Sequence, residues 1–206
     1  MILFLILGGL LLTGGSPGTG GDAVRQLELC RQALAKQLPL QIEFSQELEE
    51  DGTVTLSERG MLSLQDARRA RWQYQGEGRD QGQVWVIRDE RYLWYQPEDR
   101  LLRKGTLGPQ TRAGLWSWLL GTRDLDRTVR VSLDPGGWLR LDFPDGEVWW
   151  LRTGPGGLPQ EMRVQNGDNP DWTTVYRFSR YRTVDAFPSG TFDLSPPEGT
   201  EVVEEP

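Results

Sequence analysis

The hydrophobic positions of this chain keep one period near the N-terminus and another over most of the rest. From Val24 to Leu38, Leu27, Cys30, Leu34 and Leu38 recur at spacings of three and four, with Arg25, Glu28, Arg31, Gln32 and Lys36 between them. This spacing predicts one amphipathic helix, ended by Pro39. Beyond it the period becomes two: Ile42, Phe44 and Leu48 alternate with Glu43, Ser45 and Glu47, Asp51-Gly52 supplies a turn, and Val54 and Leu56 resume the alternation. That is a hairpin signature. The pattern continues through Leu62/Leu64, Trp72/Tyr74, Val84 to Ile87, Tyr92 to Tyr95 and Leu101 to Lys104. It resumes at Val129 to Leu133, Trp138 to Phe143, Val148 to Leu151, Glu161 to Val164 and Thr173 to Tyr181. Between these two series, Leu115, Trp116, Trp118, Leu119 and Leu120 form a short apolar stretch within Thr111 to Gly121, where a second helix is expected.

The result is about ten or eleven short antiparallel strands in a meander, a number that favours curling into a barrel or half-barrel. Two helices without strand partners are then available to cover its open side. No fixed-period repeat or change of composition marks a domain boundary, so residues 24–206 are expected to form one domain. The acidic end, Glu201 to Pro206, is expected to fray.

Residues 1–23 read as a secretory leader. Ile2 to Leu12 is continuously apolar or Gly and is followed by the small, turn-rich run Thr13 to Ala23, although no Lys or Arg precedes the apolar run. The run is too short for a spanning helix, which needs about 20 apolar residues. No Cys stands near its end to take a lipid anchor, so the expected product is soluble after export.

Composition removes several kinds of chemistry. The 206 residues include no His and a single Cys, Cys30, which excludes an intrachain disulfide, a Cys/His zinc site and a His-based triad. A net charge of -7 argues against nucleic acid as a partner. The arginines between 59 and 103 are interleaved with acids and read as a solvated mixed face. Paired carboxylates occur at Asp142, Asp145 and Glu147 and at Glu47, Glu49 and Glu50, but both sets flank turns, where acids are solvated rather than poised for catalysis. No phosphate-binding G-x-x-x-x-G-K-[ST] loop is present. No enzymatic activity, cofactor or metal is expected.

Three stretches resemble the outer-membrane lipoprotein carrier (LolA-like) family. Phe44-Ser45-Gln46 after the helix is similar to the family's F-x-Q strand. The run from Gly60-Met61-Leu62 through Trp72 to Asp89 and Leu93-Trp94-Tyr95 resembles its G-x-L, aromatic strand and D-G-x-x-L-W-x-Y series. Phe192-Asp193-Leu194-Ser195-Pro196-Pro197-Glu198-Gly199-Thr200-Glu201-Val202-Val203 resembles its closing F-x-x-x-P-P-x-G-x-x-V. The resemblance implies an incompletely closed antiparallel β-barrel with a helical lid around a hydrophobic cavity. It also implies a monomeric periplasmic carrier that receives acylated lipoproteins or other lipids from an inner-membrane releasing complex and passes them to an outer-membrane acceptor. The family's Arg-Pro pair, tied to lid opening, is replaced here by Asp66 and Ala67, with Arg68, Arg69 and Arg71 close by.

An acyl-chain carrier needs an apolar slot, since each CH₂ gains about 0.8 kcal/mol on leaving water. Nine tryptophans offer flat rings that line a slot without filling it. The candidate wall is Trp72, Trp85, Trp94 and Trp149, and the candidate lid residues are Leu115, Trp116, Trp118 and Leu119. Trp149 and Trp150 are adjacent on a strand and face opposite ways, so one of them is excluded from the slot. The alternatives are a LolA-like sensor or regulatory module for amphiphiles, and a structural envelope domain whose slot is filled by its own side chains.

Overall fold

The computed structural model of the chain describes residues 20–75, 81–106, 119 and 128–205. Helix α1 (Gly20–Ala35) buries Ala23, Leu27, Cys30 and Leu34, the apolar stripe anticipated from spacing, against the core. It begins four residues earlier than the spacing predicts, inside the expected leader, and ends before Leu38. Ala23 is fully buried, so it is a working part of the helix's packed face.

Twelve strands follow among the described residues: β1 (Leu40–Glu50), β2 (Thr53–Asp66), β3 (Arg69–Gln75), β4 (Gln81–Arg88), β5 (Arg91–Gln96), β6 (Leu101–Thr106), β7 (Arg130–Leu133), β8 (Leu139–Asp142), β9 (Val148–Thr153), β10 (Pro159–Gln165), β11 (Trp172–Thr183) and β12 (Glu201–Glu204). They form one sheet in the order β12-β6-β5-β4-β3-β2-β1-β11-β10-β9-β8-β7. Every pairing is antiparallel except that of β12 with β6. The sheet does not close, because β12 and β7 are its two edges. The architecture is an open, mainly antiparallel half-barrel, with α1 packed against β7 and β8 at one end.

Local chemistry fixes the register. Asp51 (φ 50°) and Gly52 (φ 74°) both adopt left-handed backbone, the requirement of a tight two-residue turn whose twist matches the strands it joins. On β1 and β2, Ile42, Phe44, Leu62 and Leu64 point into a single core. The second helix expected at 111–121 lies outside the described residues except for Leu119, which is fully buried in that core.

The C-terminal end departs from the expectation that it frays. After β11, residues 184–200 cross the outer face of the sheet, where Arg71 donates to the carbonyls of Thr191 (3.3 Å) and Asp193 (3.4 Å) and Arg88 pairs with the Asp193 carboxylate (2.8 Å). The chain then adds β12 alongside β6, and its acids meet bases there: Lys104 with Glu204 (3.4 Å) and Arg103 with Glu205 (2.7 Å). Glu205 also accepts the Tyr92 hydroxyl. A stretch whose own composition looks solvated is thus ordered by a complementary strand a hundred residues earlier.

This latch has a pH signature. Burial, with help from Glu205, pushes the Tyr92 phenol up from 10.0 to about 12, so its contribution is complete below pH 10 and is lost as pH rises toward 12. Hydrogen bonds from Tyr92 and Arg103 hold the Glu205 carboxyl below its usual 4.5, so that contribution is present above this value and is lost in acid. The stability advantage of the full chain over one ending at Thr200 is therefore expected to be flat between about pH 5 and 9 and to shrink on both sides. Thermal denaturation of the two chains across that range checks it.

Candidate functional site

The concave face of the half-barrel encloses a cavity of about 210 Å³. Its walls come from strands far apart in the sheet: Trp72, Trp85 and Trp94 on β3, β4 and β5, and Trp149, Met162, Val164 and Tyr176 on β9, β10 and β11. Six strands separate β5 from β9, a span of about 34 Å in a flat sheet at ~4.8 Å per strand. Residues so distant share one cavity only because the sheet curls, and the strand register brings the rings together. Trp72, Trp85 and Trp94 are direct cross-strand neighbours on one face. Trp85 and Trp94 stack at 4.4 Å between centroids with planes 16° apart. Trp72 lies edge-on to Phe44 (5.0 Å) and to Tyr176 (5.8 Å).

All four tryptophans of the expected wall therefore line one cavity. Trp149, the inward member of its pair, packs on Phe143 at 4.6 Å and donates to Glu147. Trp150 turns outward, donates to Asp134 at 3.1 Å and carries the Arg140 guanidinium over its ring at 5.4 Å. Of the expected lid residues, Leu115, Trp116 and Trp118 lie outside the described residues. Leu119 is buried in the core and is not among the residues lining the cavity.

The wall also includes residues that the sequence reading did not single out: Leu56, Ile87, Met162, Val164, Thr174 and Tyr176. A usable signal existed, because Tyr74 and Ile87 stand two residues from Trp72 and Trp85 and so share their faces. One side of the cavity is polar. Gln46 accepts the Tyr74 hydroxyl (2.6 Å), Gln83 accepts the Trp94 indole N–H (3.1 Å), and Glu58 completes this side from β2. Burial pushes the Glu58 carboxyl above its usual value, and the charge of Glu98 on the β5–β6 turn pushes it further the same way. Exposed apolar side chains, Val54, Leu56 and Trp172, cluster at the β1–β2 tip and the start of β11.

Four of the six carboxylates weighed for catalysis are engaged in the scaffold. Asp142 is bridged to Arg140 (2.7 Å), Glu47 to Arg177 (2.5 Å), Asp145 accepts the backbone N–H of Glu147 (3.2 Å), and Glu147 accepts the Trp149 indole. Cys30 is fully buried in α1, and burial pushes its thiol up to about 12, which disfavours the reactive thiolate. Asp66 caps the β2–β3 turn. Burial acts to raise its carboxyl, but hydrogen bonds from the Arg69 side chain (2.9 Å) and the Arg68 backbone (2.8 Å) outweigh it and hold the carboxyl low. Arg71 points to the outer face and is occupied by the C-terminal crossing.

No protein-family model matches the chain, and no curated protein matches it in sequence. Solved structures do share the fold. A LolA superfamily protein from Nitrosomonas europaea superposes with a TM-score of 0.57 at 10% identity, covering 84% of this chain and 97% of its own. An uncharacterized conserved protein from Thermus thermophilus gives 0.52 at 13% identity, covering 89% and 99%. A DUF1329 family protein from Desulfovibrio piger gives 0.50 at 10% identity, covering 83% and 97%. At these identities the likeness establishes a LolA-like fold.

Proposed function

We propose, from the LolA-like fold and the cavity it encloses, that this protein is a non-enzymatic periplasmic carrier that holds the acyl chains of lipoproteins or other lipids on their way toward the outer membrane. One observation carries the reading: four tryptophans from strands far apart in the sheet converge on a single apolar cavity. At about 210 Å³ it exceeds the ~150 Å³ apolar cavity that stays dry and binds benzene in another protein. Six methylenes moved from water into such a space gain on the order of 5 kcal/mol. The cavity argues against a domain whose slot is filled by its own side chains.

Acyl burial and release need no nucleotide, because the cavity replaces one apolar environment with another; donor and acceptor proteins would set the direction. The family's lid-opening Arg has no counterpart at Asp66, which is committed to Arg69. Acyl binding therefore belongs to the cavity, and that turn has no transfer role. Titration with a fluorescent fatty-acyl probe tests the reading. One saturable site, with energy transfer from the cavity tryptophans to the probe, is the expected result, and no saturable binding overturns it.

A further inference from the structure

Fourteen residues line the cavity, and Glu58 is the one among them that carries a charge. No Lys or Arg forms an ion pair with it among the described residues. The Arg103 guanidinium, which lies over the Trp94 ring at 5.7 Å, is already matched by Glu205 at 2.7 Å. The rest of the wall is dominated by aromatic faces and apolar side chains, with Trp72, Trp85 and Trp94 adjoining one another across three strands. Aromatic faces attract cations through their quadrupoles and do nothing comparable for anions, and a partly buried carboxylate beside them adds direct charge attraction. Trp94 shows the first of these effects by holding a guanidinium within the chain itself.

We infer that the cavity selects single-chain amphiphiles with a cationic, amine-type head over those with a carboxylate or phosphate head, and that Glu58 is the side chain that meets the amine. This rests on the reading of the cavity as an acyl-chain site. The tail lies along Trp72, Trp85, Met162 and Val164, and the head sits on the polar side formed by Gln46, Glu58 and Gln83. The arrangement also supplies what Glu58 lacks. Its carboxyl is penalised by burial and by Glu98, and a bound ammonium offsets both. An anionic head in the same place would be a third negative charge beside Glu58 and Glu98.

The test is displacement of a neutral fluorescent probe from the full chain by dodecylamine, dodecanol and dodecanoate, each below its micellar concentration, in about 150 mM salt so that long-range attraction to the acidic protein is screened. Dodecylamine is expected to displace the probe at concentrations at least about tenfold lower than dodecanoate, with dodecanol between them. Glu58→Gln is expected to bring amine and carboxylate within about threefold of each other. Glu28→Gln, which removes the same charge from the exposed face of α1, is expected to leave the original ratio intact. Equal displacement by amine and carboxylate, or a ratio that survives Glu58→Gln, overturns the head-group assignment and leaves the acyl site standing. Failure of all three compounds to displace the probe overturns the acyl site itself.

Discussion

Gly60→Ala is expected to destabilise the protein by about 3 kcal/mol, the upper part of the range for overpacking a filled site. A Cβ at Gly60 would lie 2.3 Å from the Gln73 carbonyl oxygen and 2.5 Å from Cζ of Phe44. The first of these is backbone of the paired strand β3 and cannot yield without breaking the ladder. The second is a ring wedged edge-on between Trp72 (5.0 Å) and Tyr74 (5.2 Å), so displacing it disturbs the cavity wall as well as the core. Register makes the close approach unavoidable, because Gly60 stands opposite Phe44 on one side and Tyr74 on the other. Gly21→Ala is the natural control, since a Cβ there meets nothing within 4 Å. Denaturant midpoints measured for both variants check the expectation: a large drop for Gly60→Ala and no loss for Gly21→Ala. A midpoint for Gly60→Ala close to that of the parent would show that this packing is wrong.

Filling the cavity is expected to abolish ligand binding without harming the fold. Val164 is partly buried on the β10 wall, directly across from Trp149 on β9 and Thr174 on β11. Val164→Trp would place an indole in the space assigned to an acyl chain. Such cavity-filling changes commonly stabilise by about 0.5–2 kcal/mol where the ring fits. The expected outcome is therefore at least about a tenfold loss of acyl-probe affinity, equivalent to ~1.4 kcal/mol, with an unchanged or higher midpoint. The combination matters, because lost affinity with lost stability would only report damage. Undiminished affinity in a folded Val164→Trp variant would place the probe elsewhere on the molecule.

Much of the fold could be read from the sequence because one face of each strand is buried and period-two alternation records which one. The β1–β2 hairpin followed from Asp51-Gly52, whose left-handed backbone few other residue pairs tolerate. The four wall tryptophans could be named for the same reason. What alternation could not decide was the inward member of Trp149-Trp150, since both are aromatic and both find partners. The answer depends on Asp134 and Arg140, which reach Trp150 from β8 and the loop after β7. Strand β12 was invisible because its acids look solvated in isolation, and the bases that order it sit on β6, remote in sequence. Glu58 was missed for a related reason. Alone it reads as an ordinary surface acid on a polar strand, and it becomes notable only when the sheet curls and brings β2 to the edge of a cavity lined by β9 and β10.

In the cell, the cavity is expected to hold an acyl chain. Native mass spectrometry with lipid extraction, applied to the full chain gently purified from the envelope of the cells that make it, tests this most directly. The expected result is a protein ion carrying the added mass of an acylated molecule, recovered in the extract and absent from Val164→Trp. A ligand-free ion from both proteins, together with no binding of an acyl probe by the parent, would contradict it and leave an envelope domain with an unused cavity.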